Sequence, residues 1–171
     1  MAMTMYGASV PVFQHMLRNL THLLEKAEAH AAARKIDPAA LTTFRLAPDM
    51  LPFTRQIQIA CDGPKNGLAR ISGLEAPKFE DNEATFAELK ARIQKTLDFL
   101  AGIPADALAG VEDKEITFPV GKDRTLTMKA QAYLLTWVMP NFYFHITTAY
   151  AILRHNGVEL GKQDYLVGAR T

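Results

Sequence analysis

Cysteine is nearly missing from this chain of 171 residues. Cys61 stands alone, which excludes an internal disulfide and a multi-cysteine zinc site. Long apolar runs are also missing. None approaches the roughly 18 residues that a spanning helix requires, so no membrane segment is expected. The start, Met1-Ala2-Met3-Thr4-Met5-Tyr6-Gly7, has neither a charged n-region nor an apolar h-region, and no signal peptide is expected. Charge of one sign is lacking too. Lys and Arg total 19 against 18 Asp and Glu, a formal charge of +1, and no basic block exceeds a pair. Nucleic-acid binding driven by counterion release needs a clustered positive footprint, so that role is not expected. One unpaired thiol beside 7 methionines suits a reducing compartment, and a cytoplasmic location is expected.

What is present is ordinary for a globular chain: 49% apolar and 22% charged residues, enough for one domain over residues 1–171 with a real core. Residues 7–34 read as an amphipathic helix. At about 100° per residue, Phe13, Leu17, Leu20 and Leu24 form one stripe, with His15, Arg18, His22 and Lys26 opposite. Asp37-Pro38 closes that segment. A second helix begins near Pro52 and carries Phe53, Ile57, Ala60 and Cys61 inward. Gly63-Pro64 predicts a kink or break before Leu68 and Ile71. The third helix has Thr85 or Asn82 as cap, the stripe Phe86, Leu89, Ile93, Leu97 and Leu100, and Gly102-Ile103-Pro104 as its end.

Alternation then replaces helical periodicity. Glu115-Ile116-Thr117-Phe118-Pro119-Val120, the turn Gly121-Lys122-Asp123, and Arg124-Thr125-Leu126-Thr127 predict a short β-hairpin that must lean on the helices. A fourth helix is predicted over residues 127–155, stopped by Asn156-Gly157, with an irregular tail that wraps back. The pattern predicts an all-α four-helix bundle with a small hairpin between the third and fourth helices.

Chemistry concentrates in the fourth helix. Asn141 and His145 are four residues apart and share one helical face, which Thr148 extends. Trp137, Phe142, Tyr143, Phe144 and Ile146 make the surroundings apolar, and Pro140 cannot donate to the Thr136 carbonyl, so a bend is expected there. Spacing alone fits a buried histidine satisfied by one hydrogen bond slightly better than a pocket wall. A tight metal site is not favoured, because an amide oxygen at Asn141 is a poor ligand for zinc or nickel and only His145 is a good donor. On the second helix Gln58, Asp62 and Lys65 share a polar side bordered by Thr54. That side either faces solvent, the favoured reading, or lines the pocket opposite His145. His15, His22, His30 and His155 read as structural or solvated, and Cys61 as a small buried hydrophobe. No phosphate loop, nucleophile elbow or triad order is present.

Two stretches carry a family resemblance: Asp49-Met-Leu-Pro-Phe-Thr-Arg-Gln-Ile-Gln-Ile-Ala-Cys-Asp62 and Pro140-Asn-Phe-Tyr-Phe-His-Ile-Thr-Thr-Ala-Tyr-Ala-Ile-Leu-Arg-His-Asn-Gly157. With them the chain resembles the DUF1993 family of the DinB/YfiT-like superfamily, in a layout that covers nearly its whole length. The resemblance implies a four-helix bundle, often a homodimer, with a metal held by one histidine of the second helix and two of a later helix. It also implies, for some members, metal-dependent thiol transferase or isomerase chemistry. Carried over by position, His145 matches one later-helix ligand, Asn141 stands at its partner, and Gln58 (Gln56 second in preference) stands at the second-helix position. The expectation is therefore a small polar pocket of Gln58, Asp62, Asn141 and His145 that binds a small molecule without a full metal triad. The alternative is a metal-dependent or His-based thiol transferase or hydrolase. No cofactor is the favoured expectation; zinc or nickel, weakly held by His145, is the other.

Overall fold

The computed structural model of the protein describes residues 3–169. Its long helices are α1 (Met5–Arg34), α3 (Phe53–Ser72), α4 (Phe86–Ala101) and α6 (Met139–His155), with a short α2 (Pro38–Thr42) after α1. Strands β1 (Glu115–Pro119) and β2 (Thr125–Lys129) follow α4. The four-residue α5 (Ala130–Tyr133) and a π-helical segment (Leu134–Val138) lead straight into α6, and α7 (Lys162–Leu166) closes the described chain. The fold is mainly helical with one antiparallel hairpin.

Local chemistry explains most boundaries. Thr85 caps α4 by accepting from the Glu88 N–H, and the Glu88 carboxylate returns to the Thr85 N–H at 2.9 Å, so Thr85 rather than Asn82 starts this helix. Asp37 accepts from the Ala39 N–H at 2.9 Å and so opens α2 immediately after the end of α1, an element the sequence pattern did not suggest. The hairpin pairs Glu115 with Lys129 and Phe118 with Leu126, and buries Ile116 and Phe118 on its inner face. It continues to Lys129, so the following helix begins at Ala130 and not at Thr127.

The break expected at Gly63-Pro64 does not occur: α3 runs through Pro64 without interruption. Proline forfeits one bond to the carbonyl four residues back, and the contacts that α3 makes with α4 and α6 along its length hold the helix across that gap. Pro140 acts differently. Just before it the chain widens into π geometry, and the Met139 N–H reaches back five residues to the Leu134 carbonyl. The tail is not irregular throughout. α7 lies on α1, where Asp164 meets His22 and Lys26 at 3.0 Å each and His15 donates to the Leu166 carbonyl at 2.7 Å.

In cross-section α3 lies between α4 and α6, and α1 lies against α4, with Phe13 set edge-on to Phe142 of α6 at 4.9 Å. The α1 stripe of Phe13, Leu17, Leu20 and Leu24 is fully buried between them. At Gly67, α3 approaches the π segment closely. A Cβ there would stand 2.9 Å from both Cγ atoms of Val138 in the π segment. Gly67→Ala is therefore expected to cost about 1–2 kcal/mol in urea unfolding, overpacking outweighing the gain in helix propensity. In a Val138→Ala background the same change should become neutral or stabilising.

Candidate functional site

On α3, Gln56 and Gln58 flank the buried Ile57 and lie about 200° apart around the helix axis. One must turn toward α6 and the other toward α4. The structure sends Gln56 to α6, where its Oε1 accepts from His145 Nδ1 at 2.7 Å while its amide nitrogen donates to the Leu51 carbonyl at 2.9 Å. This corrects the expected facing residue: Gln58 does not meet His145. Gln58 turns to α4, where its amide nitrogen donates to Glu83 at 2.9 Å and its oxygen accepts from Arg55 at 2.6 Å. A signal for this choice was in the helical register. Gln56 shares its stripe with Gly63, Gly67 and Arg70, the side where small residues admit α6, whereas Gln58 shares its stripe with Asp62 and Lys65.

The Leu51 carbonyl orients the Gln56 amide, and that amide in turn holds the Nδ1–H tautomer of His145. Nε2 is left as a lone-pair acceptor with no hydrogen-bond partner among the described residues. His145 is 8% exposed, and burial pushes its imidazole down to about 4. The ring is thus neutral at physiological pH. Phe144 packs edge-on against it at 5.2 Å and is itself exposed.

Asn141, one turn before His145, is exposed and makes no bond to it. It lines a small groove of about 170 Å³ together with Asp62, Asn66 and Arg70 of α3 and Tyr133 and Trp137 of the α5 and π segment. The structure therefore brings Asp62 and Asn141 together in one groove and places His145 with Gln56 farther along the same α3–α6 seam. Gln58 belongs to neither.

The polar side of α3 neither faces solvent nor reaches His145. It meets Arg92 of α4, a residue that sequence reasoning passed over and that is 2% exposed. Arg92 pairs with Asp62 at 2.9 Å, with Asp81 at 2.7 Å and with Glu83 at 3.0 Å, and lies over the Phe79 ring at 4.5 Å. Lys65 stands 2.9 Å from Asp62 Oδ1, an ion pair by distance whose alignment leaves that oxygen without a hydrogen bond. Arg55 closes on Asp81 at 3.0 Å. Three cations thus balance three carboxylates. Burial works against the Arg92 charge, and Glu83, Asp62 and Asp81 outweigh it and raise its pKa. Cys61, beside this network, is fully buried with its thiol pushed by burial up to about 12, so it is not a nucleophile.

Among the described residues no three His, Cys, Asp or Glu side chains converge as metal ligands. The residues at the positions implied by the resemblance are one imidazole and amides, and the amide that reaches His145 is already held at both ends. That donor set does not fit a tightly bound zinc or nickel ion. Also among the described residues, no helix is long and apolar enough to cross a membrane.

A helical domain with a hairpin between α4 and α6 and a polar α3–α6 seam is the class that these features define. The crystal structure of a DinB family member protein from Shewanella denitrificans shares it, with a TM-score of 0.88 and 44% identity over 96% of this chain and 92% of that one. The chain matches DUF1993, a domain of unknown function, over residues 5–166 and belongs to that family. No curated protein matches it.

Two outcomes follow from this geometry. An imidazole at about 4 when folded and near 6.5 when unfolded binds more protons in the unfolded chain between those values. Its contribution is complete above about pH 6.5 and is lost as pH falls toward 4. Between pH 7.5 and 5 the wild type should lose about 2 kcal/mol from this source, and the His145→Gln variant should show a flatter pH profile in chemical denaturation. Arg92→Ala leaves three carboxylates without their shared cation and should cost about 3–5 kcal/mol, read as a lower urea midpoint. A loss under 1 kcal/mol would mean that water takes over the role of Arg92.

Proposed function

We propose that this protein binds a small polar molecule along the α3–α6 seam of a four-helix bundle of the DinB/YfiT type, without a full metal triad. The observation that supports this reading is an open polar groove lined by Asp62, Asn66, Arg70 and Asn141 against Tyr133 and Trp137; His145 lies farther along the same seam. Ligand sites combine an apolar or aromatic wall with a few convergent polar groups. Trp137 and Tyr133 provide the wall, and the two asparagines provide donors and acceptors. The metal-dependent alternative lacks its donor set. A His-based enzyme is disfavoured because an imidazole at about 4 is a weak proton acceptor near neutral pH.

Thermal unfolding in the presence of single small polar metabolites, and separately of zinc or nickel, tests the reading on protein freed of any affinity tag. A ligand that binds only the folded state raises the midpoint by mass action. The expected result is a concentration-dependent rise with a metabolite, lost in Asn141→Ala, and none with the metals. A rise with zinc or nickel alone that disappears in His145→Ala would transfer the conclusion to the metal-dependent enzyme.

A further inference from the structure

Within that groove one cation, Arg70, has no counter-ion among the described residues. Among the described residues, no carboxylate lies within ion-pair distance of Arg70, and its guanidinium donates only to the Tyr133 hydroxyl, at 3.0 Å. Tyr133 is 2% exposed. Its oxygen accepts from Arg70, and its own O–H proton has no acceptor among the described residues. A half-buried guanidinium and a phenol proton thus stand side by side with donor capacity left over. Asp62 lines the same groove but does not cancel this charge, because its carboxylate is already taken up by Arg92 and Lys65, each at 2.9 Å.

The groove's walls are aromatic and braced from behind. Phe118, which the hairpin brings in from β1, lies 4.5 Å from the Tyr133 ring and 5.1 Å from the Trp137 indole. Trp137 is partly exposed where it lines the groove. A volume of about 170 Å³ amounts to roughly six waters of bulk liquid. The groove is open on one side, and its walled part suits one ring with a single substituent.

We propose that this groove binds a small aromatic carboxylate, with Arg70 and the Tyr133 hydroxyl gripping the carboxylate and Trp137 covering the ring. The proposal rests on the binding reading above and narrows it to one ligand class. A guanidinium matches a carboxylate in geometry as well as charge, and charge-assisted bonds are the strong ones. Asn66 and Asn141, at the rim, supply amides to a polar ring substituent.

Trp137 is the only tryptophan in the chain, so its fluorescence reports on this groove directly. The experiment is a titration of the full-length protein with benzoate, benzamide, benzylamine and inorganic phosphate, repeated on Arg70→Gln, Arg70→Lys and Tyr133→Phe, with circular dichroism confirming each fold. Benzoate is expected to give a saturable change, with benzamide and benzylamine at least about tenfold weaker. Arg70→Gln should weaken benzoate by about tenfold or more and benzamide by less, because only the carboxylate loses a charge-assisted bond. Arg70→Lys should fall between, and Tyr133→Phe, which keeps the ring, should weaken benzoate severalfold. If Arg70→Gln misfolds, the last two variants carry the test.

Equal binding of benzoate and benzamide would overturn the carboxylate assignment and leave the binding reading standing. Phosphate competing as well as benzoate would overturn the aromatic part. If no probe of any charge perturbs Trp137 and no metabolite shifts the unfolding midpoint, the binding reading falls as well.

Discussion

A guanidinium almost closed off from water must be surrounded by acceptors, and the layout around α3 follows from that requirement at Arg92. Its partners come from two places. Asp62 is on α3, Asp81 and Glu83 are on the loop between α3 and α4, and Phe79 of the same loop lies beneath it. Removing two or three charges from water is costly, and the arrangement holds because positive and negative groups are matched and nearly every lone pair and proton is occupied. Arg92 Nε, buried without a partner, is an exception. The network ties a long irregular connection to the helices and commits one whole side of α3, from Gln58 through Asp62 to Lys65, to α4.

That commitment shapes the opposite side. With Gln58 engaged by Glu83 and Arg55, Gln56 is the glutamine left to meet His145, and its second bond to the Leu51 carbonyl fixes which way the amide points. Farther along the seam, Gly67 lets the π segment approach, and the hairpin presses Phe118 behind Tyr133 and Trp137. The wider turn before Pro140 and the two-stranded ribbon thus serve one result: a groove with rigid aromatic walls beside a histidine kept neutral by burial. π-Helical segments often mark functional places in helices, and this one borders the groove.

The stripes of α1 and α4, the Thr85 cap, the turn of the hairpin and the end of α6 at Asn156-Gly157 were all readable in the chain. Each depends on residues within a few positions of one another. Family membership was readable for a related reason, since the segments around Asp49–Asp62 and Pro140–Gly157 are long and specific. The reading failed where distant groups decided. Gly63-Pro64 looked like a kink or a break, yet α3, packed on α4 and α6, runs on without a break. The side of α3 holding Gln58 looked solvated, yet it is buried against Arg92. Arg92 drew no notice because one arginine within an apolar helical stripe resembles an edge residue until its carboxylates arrive from elsewhere.

The sequence by itself determined the helical class and the hairpin, because periodicity, capping and turn chemistry are local. Only the tertiary structure decided that Gln56 and not Gln58 meets His145, that Asp62 and Asn141 share a groove which His145 does not line, and that Arg70 stands there without a counter-ion among the described residues. Gln56 and Gln58 differ by two positions and are chemically identical. What separates them is which neighbour, α4 or α6, lies on each side of α3, and that is set by contacts between residues scores of positions apart.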